Sequence, residues 1–304
     1  MRYTGEIAGL CAALTWAISS LVFSRAPAPA TALNLFKNIV GAVWLLLTLA
    51  LFAVFGTGDR PLAAVAGGGT ELAWLAASAI LGIVVGDTCY FRSLQILGAR
   101  RSLTLATLAP PMAAVLGWAV LEESPSRHAW LGIAITCVGI IWVVRDENLR
   151  RDGAGHYPGT QASGVAFGFL AAACQALGAV LSKLGMARFA PLEASFIRLA
   201  TAAACGILWG AASGRLGPWC ASLRRPGLPL RLAAAATCGT YLGIWLSLVA
   251  FHRSPVAVAT TLTALSPVFV LPLARVFLGF PMTPRAITGV FLAIAGVVLL
   301  FDGA

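Results

Sequence analysis

Ten apolar runs recur along this chain, each close to the length an α-helix needs to cross the hydrocarbon core, and short segments rich in Arg, Pro and Gly separate them. They occupy residues 5–24, 31–55, 71–95, 99–121, 128–145, 162–186, 191–212, 229–251, 255–277 and 283–301. The pattern predicts an all-α membrane protein with ten transmembrane helices and no soluble domain left over. The first run lacks a small-residue cleavage site, so it is expected to be retained rather than removed as a signal peptide. An even number of crossings places both termini on one side.

The pattern is also written twice. Sliding the sequence by 157 positions puts Gly82 on Gly239, Gly86 on Gly243, Pro110 on Pro267, Gly132 on Gly289 and Gly139 on Gly296, with no gap. Earlier runs follow with small offsets: Ser24 and Arg25 meet Ser182 and Lys183, and Lys37 in "LFKNIVGA" meets Arg198 in "FIRLATAA". Each copy holds five helices. Five is odd, so the second copy enters from the opposite side and lies inverted. The expected architecture is therefore two inverted five-helix repeats, 1–145 and 161–304, joined by a charged linker at 146–160. Inverted repeats create an interface at mid-membrane, where transporters place substrate and rock around it to expose it to either side in turn.

Composition agrees with that class: 59% of residues are hydrophobic and 11% charged, against about 25% charged in soluble domains. The net charge of +10 does not point to nucleic acid, because the basic residues sit in loops at helix ends with no basic stripe interleaved with aromatics. Six of them fall on the side of the N-terminus and twelve on the other, so the positive-inside rule puts both termini outside the cytoplasm. Seven cysteines contain no CxxC pair, and six lie within runs, as small packing residues do. His128, His156 and His252 are far apart and lack ligand spacing, so neither a metal nor a cofactor is expected.

Two glycine-matched stretches frame the candidate chemistry. "LGIVVGDTCYFRSL" carries Asp87 in mid-helix, whereas its repeat mate "CGTYLGIWLSLVAF" has Ile244 there. A charge at that depth costs about 2.5–3.5 kcal/mol on insertion scales and should face a partner or water. Asp87 is thus the first candidate for cargo reading or proton coupling, with pairing to Lys37 as interhelical glue the alternative. Asn34, Lys37, Asn38 and Gly41 share one face of the second helix, and Ser195, Arg198, Thr201 and Cys205 form a similar row on the seventh. The two cations are expected toward opposite ends of a central cavity, which suits a carboxylate-bearing or otherwise anionic cargo; snorkelling to headgroups is the alternative. Trp16 and Ser20 on the first helix, Tyr90 beside Asp87, Gln175 on the sixth, and Tyr241 and Trp245 on the eighth complete the candidate substrate-binding set. Their aromatic wall suits a zwitterionic or ring-bearing solute, though ordinary packing explains such rings too. Pro110, Pro111 and Pro267 remove backbone donors in mid-membrane, with Thr104, Thr107, Thr260, Thr263 and Ser266 near enough to compensate.

These residues resemble the EamA-type family of the drug/metabolite transporter superfamily. The resemblance rests on "GLCAALTWAISSLVFSR", the basic residue in the second helix of each half, "GDTCYFRSLQILGA", "LATLAPPMAAVLGWAVLEE" and "WLGIAITCVGIIWVV". It implies two EamA-like repeats in the cell (inner) membrane, acting as a secondary, proton-coupled or facilitated carrier. Members are mostly exporters of small metabolites such as amino acids. The implied partners are a small-molecule substrate, protons and membrane lipids, in a monomer or homodimer. The family also implies termini on the opposite side from the one the charge count gives, and the sequence leaves both orientations open. The second copy departs from the pattern: "ARVFLGF" lacks the acidic pair Glu122 and Glu123. A lipid or lipid-linked sugar flippase is the alternative cargo class. A non-transport membrane enzyme is disfavoured, since no Ser/His/Asp, metal or paired-carboxylate set converges across runs and no GxxxxGK[ST] loop is present.

Overall fold

The computed structural model describes residues 3–23, 26–55, 68–97, 102, 105–144, 160–278 and 283–302, and the elements among them are all helical. They are α1 (Thr4–Phe23), α2 (Ala30–Phe55), α3, α4 (Ala109–Leu121), α5 (Arg127–Val144), α6 (Gln161–Gly185), α7 (Pro191–Ala212), α8 (Leu216–Leu223), α9, α10 (Val256–Thr263), α11 (Ser266–Leu278) and α12 (Pro284–Asp302). Two of these change pitch along their length. In α3, Gly69–Ser78 passes through a π-helical stretch, Ala79–Gly86, into Asp87–Leu97. In α9, Leu228–Ala236 passes through Thr237–Leu242 into Gly243–Arg253. The two π stretches fall at matching places in the two copies.

Six helical stretches are long and apolar enough to cross a membrane: Thr4–Phe23, Ala30–Phe55, Gly69–Ser93, Gln161–Gly185, Pro191–Ala212 and Leu228–Arg253. Four shorter apolar stretches lie at Ala109–Leu121, Arg127–Trp142, Val256–Val270 and Ile287–Leu300. Outward faces are apolar, as Trp44, Leu47, Leu51, Trp118, Leu208 and Phe291 show, while backbone polar groups are spent within helices, as lipid demands. The chain is an integral, multi-pass membrane protein.

The fourth run of each copy breaks at the prolines, as expected, and the break divides it into two helical pieces. Turns at 107–108 and 264–265 interrupt both, because Pro111 and Pro267 have no N–H for the carbonyls four residues back. Those carbonyls find other donors: the Cys137 thiol points to Thr107 O at 3.7 Å and the Ser266 hydroxyl to Thr263 O at 3.3 Å. Thr104 and residues 146–159 of the linker lie outside the described residues, as do Ser24 and Arg25. The short helix α8 was not expected; Trp219 anchors it, buried with Ala32 and Leu35 of α2 and pressed on Gly210 of α7, where a Cβ would come within 2.8 Å of the indole ring.

Packing crosses between the copies. On α5 and α12, a Cβ on Gly139 would lie 2.8 Å from Ala293 Cα, and one on Gly132 would lie 2.8 Å from Gly296 O. The repeat mate of Gly139 is Gly296, which in turn meets Thr136, the mate of Ala293. One contact is thus made twice, as in a self-complementary interface. The same interlock joins α6 to α3, where a Cβ on Gly178 would lie 3.0 Å from Gly82 Cα, and α1 to α9, where Ser19 fills the space over Gly239. Glycine at these points allows the backbones to close in. Against α2, Leu199 of α7 covers Gly41 at 2.7 Å. These approaches bring α2, α3, α6 and α7 together around one polar cluster.

Candidate substrate-binding site

The cluster begins with the π stretch of α3. Widening the helix there leaves main-chain acceptors without their usual i+4 donors, and the buried Asn34 takes one of them, its Nδ2 donating to Ile83 O at 3.2 Å. Asn38, one turn along α2, donates to Asn34 Oδ1 at 3.3 Å. Lys37 Nζ donates to Asn38 Oδ1 at 3.1 Å and to Asp87 Oδ2 at 2.9 Å. Gln175 Nε2 of α6 holds the other oxygen, Asp87 Oδ1, at 3.2 Å. The Lys37 and Asp87 side chains are 11% and 20% exposed, and Gln175 is exposed. Sequence reasoning offered the Lys37–Asp87 pair as one alternative and Asn34, Lys37 and Asn38 as one face; the structure joins them, with Gln175, in one hydrogen-bonded network.

Arg198 enters from α7. It is 7% exposed, and its Nε is buried with no hydrogen-bond partner among the described residues. Its Nη2 lies 3.5 Å from where a Cβ would stand on Gly82, and the Asp87 charge acts on it. Lys37 and Arg198 thus both stand beside α3, Lys37 in an ion pair with Asp87 and Arg198 against Gly82. The long Arg198 side chain spans the axial offset that its position near the start of α7 implies.

The aromatic residues form a flank beside this cluster. Tyr241 and Trp245 have ring centroids 6.2 Å apart at 36°, and the Tyr241 hydroxyl meets Thr48 Oγ1 at 2.9 Å. Trp44 lies 6.2 Å from Tyr241 on its other side. Trp16, Tyr241 and Trp245 pack on Leu45, Leu49, Ile83, Leu199 and Ile244, and the Trp16 indole fills the space over Gly243, where a Cβ would lie 2.5 Å from Nε1. Ile244, the repeat mate of Asp87, is thus part of an apolar wall. Tyr90 is half-buried, and its ring centroid lies 5.9 Å from that of Phe91 with the rings tilted by 50°. Ser20 is not brought to the cluster: it is exposed, and its hydroxyl returns to Ala17 O at 2.8 Å. Thr48 and Trp44 were missed, though both continue the face of α2 that carries Asn34, Lys37 and Gly41.

A second polar knot gives Glu123 a place. α4 ends with Glu122 in the left-handed region at φ 57°, and Glu123 N turns back to Gly117 O at 3.2 Å. Its carboxylate then pairs with Lys183 of α6 and accepts from Val256 N at 2.7 Å. Lys183 also donates to Ser254 O at 2.9 Å, and the Ser254 hydroxyl to Glu6 Oε1 of α1 at 2.9 Å. Two elements of the first copy are thereby tied to two of the second. Glu6, a lone acid in a first helical turn, gave no signal in the sequence. Among the described residues, no three His, Cys, Asp or Glu side chains converge as metal ligands would.

Comparison with known proteins places this geometry. The sequence model of the EamA-like transporter family matches residues 3–145 and 162–302. A protein of known crystal structure is similar with a TM-score of 0.74 at 17% identity, over 98% of this chain and 96% of that one, which shows a shared fold. No curated protein matches the chain.

Proposed function

The chain belongs to the EamA-like transporter family, and we propose that it is a secondary active transporter of the inner membrane that exports small metabolites, amino acids among them. In this reading the chain crosses ten times as two inverted five-helix repeats, 1–145 and 161–304. The halves rock around the cluster of Lys37, Asp87, Gln175 and Arg198, with Asn34 and Asn38 as supports and Tyr90, Trp16, Tyr241 and Trp245 lining the flank. The observation that carries the proposal is the Lys37–Asp87 pair, 2.9 Å across two helices in one copy only. Charge this deep in a bundle is costly and marks a pathway or relay. Protonation of Asp87 would release Lys37, so Asp87 is the proton-coupling residue. The Glu123–Lys183 knot supports a conformation closed at its own end of the bundle.

The test is flux from proteoliposomes loaded with a radiolabelled mixture of amino acids and 2-oxo acids. Saturable efflux is expected from the native protein, to be lost in Asp87→Asn and Lys37→Ala at equal incorporation. Native rates in both variants would remove the site assignment. One observation favours a second reading, a lipid or lipid-linked sugar flippase: Gln175 is exposed while bonded to Asp87, so the cluster is open beside α6. Stimulation of scrambling of a labelled lipid, with no solute flux, would select that reading.

A further inference from the structure

Charge within the cluster does not balance. Lys37 is matched by Asp87, and Gln175 occupies the remaining carboxylate oxygen. Arg198 adds a second cation, 7% exposed, and among the described residues its Nε has no hydrogen-bond partner. A buried cation without its own counter-charge is among the most costly arrangements in a protein interior, and in natural membrane proteins it persists where something supplies the missing charge. A guanidinium keeps its proton at any physiological pH, so the site cannot shed the excess by titration of Arg198.

We infer that Arg198 binds the carboxylate of a monoanionic organic cargo, an inference that rests on the transport reading above and narrows its cargo to metabolites with one net negative charge, leaving out zwitterionic amino acids. The planar guanidinium fork matches a carboxylate by two parallel hydrogen bonds. One excess positive charge is neutralised by one negative charge, which selects a net monoanion over a zwitterion or a phosphate dianion. The ammonium of a zwitterion would bring a further positive charge to a site whose carboxylate Lys37 already matches. Nη2 lies beside the α3–α6 contact, 3.5 Å from where a Cβ would stand on Gly82. The cargo's body then lies along the apolar surface to which Leu199, Ile83, Tyr241 and Trp245 all contribute, so an apolar or ring-bearing acid fits better than a small hydrophilic one.

Purified full-length protein is melted alone and with phenylacetate, 2-oxoisocaproate, phenylacetamide, phenylalanine or inorganic phosphate. At least one of the two monocarboxylates is expected to raise Tm, since a ligand of the folded state stabilises it in proportion to its saturation; the neutral amide, the zwitterion and phosphate are expected not to. Arg198→Gln should lose the shift while its unliganded Tm stays at or above the native value, because an uncompensated charge has gone. Arg198→Lys should retain part of the shift. The inference is overturned by no shift with either monocarboxylate, by an equal shift with the amide, phenylalanine or phosphate, by a carboxylate shift that survives Arg198→Gln, or by an unliganded Tm that falls in Arg198→Gln, the mark of a structural counter-charge. If any of these occurs while Lys37→Ala still abolishes flux, the transport site stands and only its preference for monoanions is lost.

Discussion

Lys37 on α2 reaches Asp87 on α3 at 2.9 Å, yet the repeat mates of these residues, Arg198 and Ile244, cannot form that pair. The scaffold is doubled and its chemistry is not. Ile244 shows what the fold alone asks of the position, an apolar side chain packed on Leu199 and Trp245. Asp87 is an addition to one copy, held by an ammonium on one side and an amide on the other.

Removing one partner of a buried ion pair costs about 3–5 kcal/mol, and less where water reaches the pair. Asp87→Asn leaves Lys37 without its counter-charge in a cluster that already holds the uncompensated Arg198, whereas Lys37→Met leaves Asp87 with the Gln175 amide and lowers the cluster's positive charge. Asp87→Asn should therefore lower Tm more than Lys37→Met, and the double variant should recover part of the loss. Thermal melts followed by size-exclusion chromatography measure this ordering. Equal losses in the two single variants would contradict it.

The knot at Glu123 ties α1 and α4 to α6 and the junction of α9 and α10. If it holds that end closed, Glu123→Gln and Lys183→Met should open it. A loss of about 1.4 kcal/mol in closure raises the open population tenfold. Thr260, buried on α10 behind Val256, serves as reporter through Thr260→Cys in a background without the seven native cysteines. An impermeant maleimide added on the Glu123 side should label it several-fold faster in either knot variant. Unchanged labelling would make the knot a static tether.

Gly139→Ala should be costly, because the added methyl would lie 2.8 Å from Ala293 Cα and backbone cannot step aside as a flexible side chain can. Overpacking of this kind costs about 1–3 kcal/mol. Gly217→Ala on α8, where nothing lies within 4 Å of the new methyl, is the control and should leave Tm at or slightly above native. Similar Tm values for the two would show that α5 and α12 are not locked together.

Much of this was legible before any coordinates. Glycine and proline positions matched across the copies, and they mark where helices approach or break, because both residues act through the backbone, whose demands repeat with the fold. Polar residues of α2 and α3 could be named from the cost of placing them in lipid. The Lys37–Asp87 pair could be offered as an alternative; the bonds around it could not be read. That Gln175 holds Asp87, and that Asn34 serves Ile83 O, depends on helix rotation and on the π stretches, and no periodicity reports those. The turns at 107–108 and 264–265 were foreseen as breaks but not as interruptions long enough to divide the run. Glu6 and Ser254 sit 248 positions apart, a separation that only folding closes.

The most direct measurement of the central claim is saturable efflux of labelled amino acids and 2-oxo acids from proteoliposomes holding native protein, Asp87→Asn or Lys37→Ala in equal amounts. The account predicts flux from native protein alone, with both variants at the level of empty liposomes. Native flux in both variants would contradict it, and the paired charges between α2 and α3 would then be interhelical glue in a transporter whose site lies elsewhere.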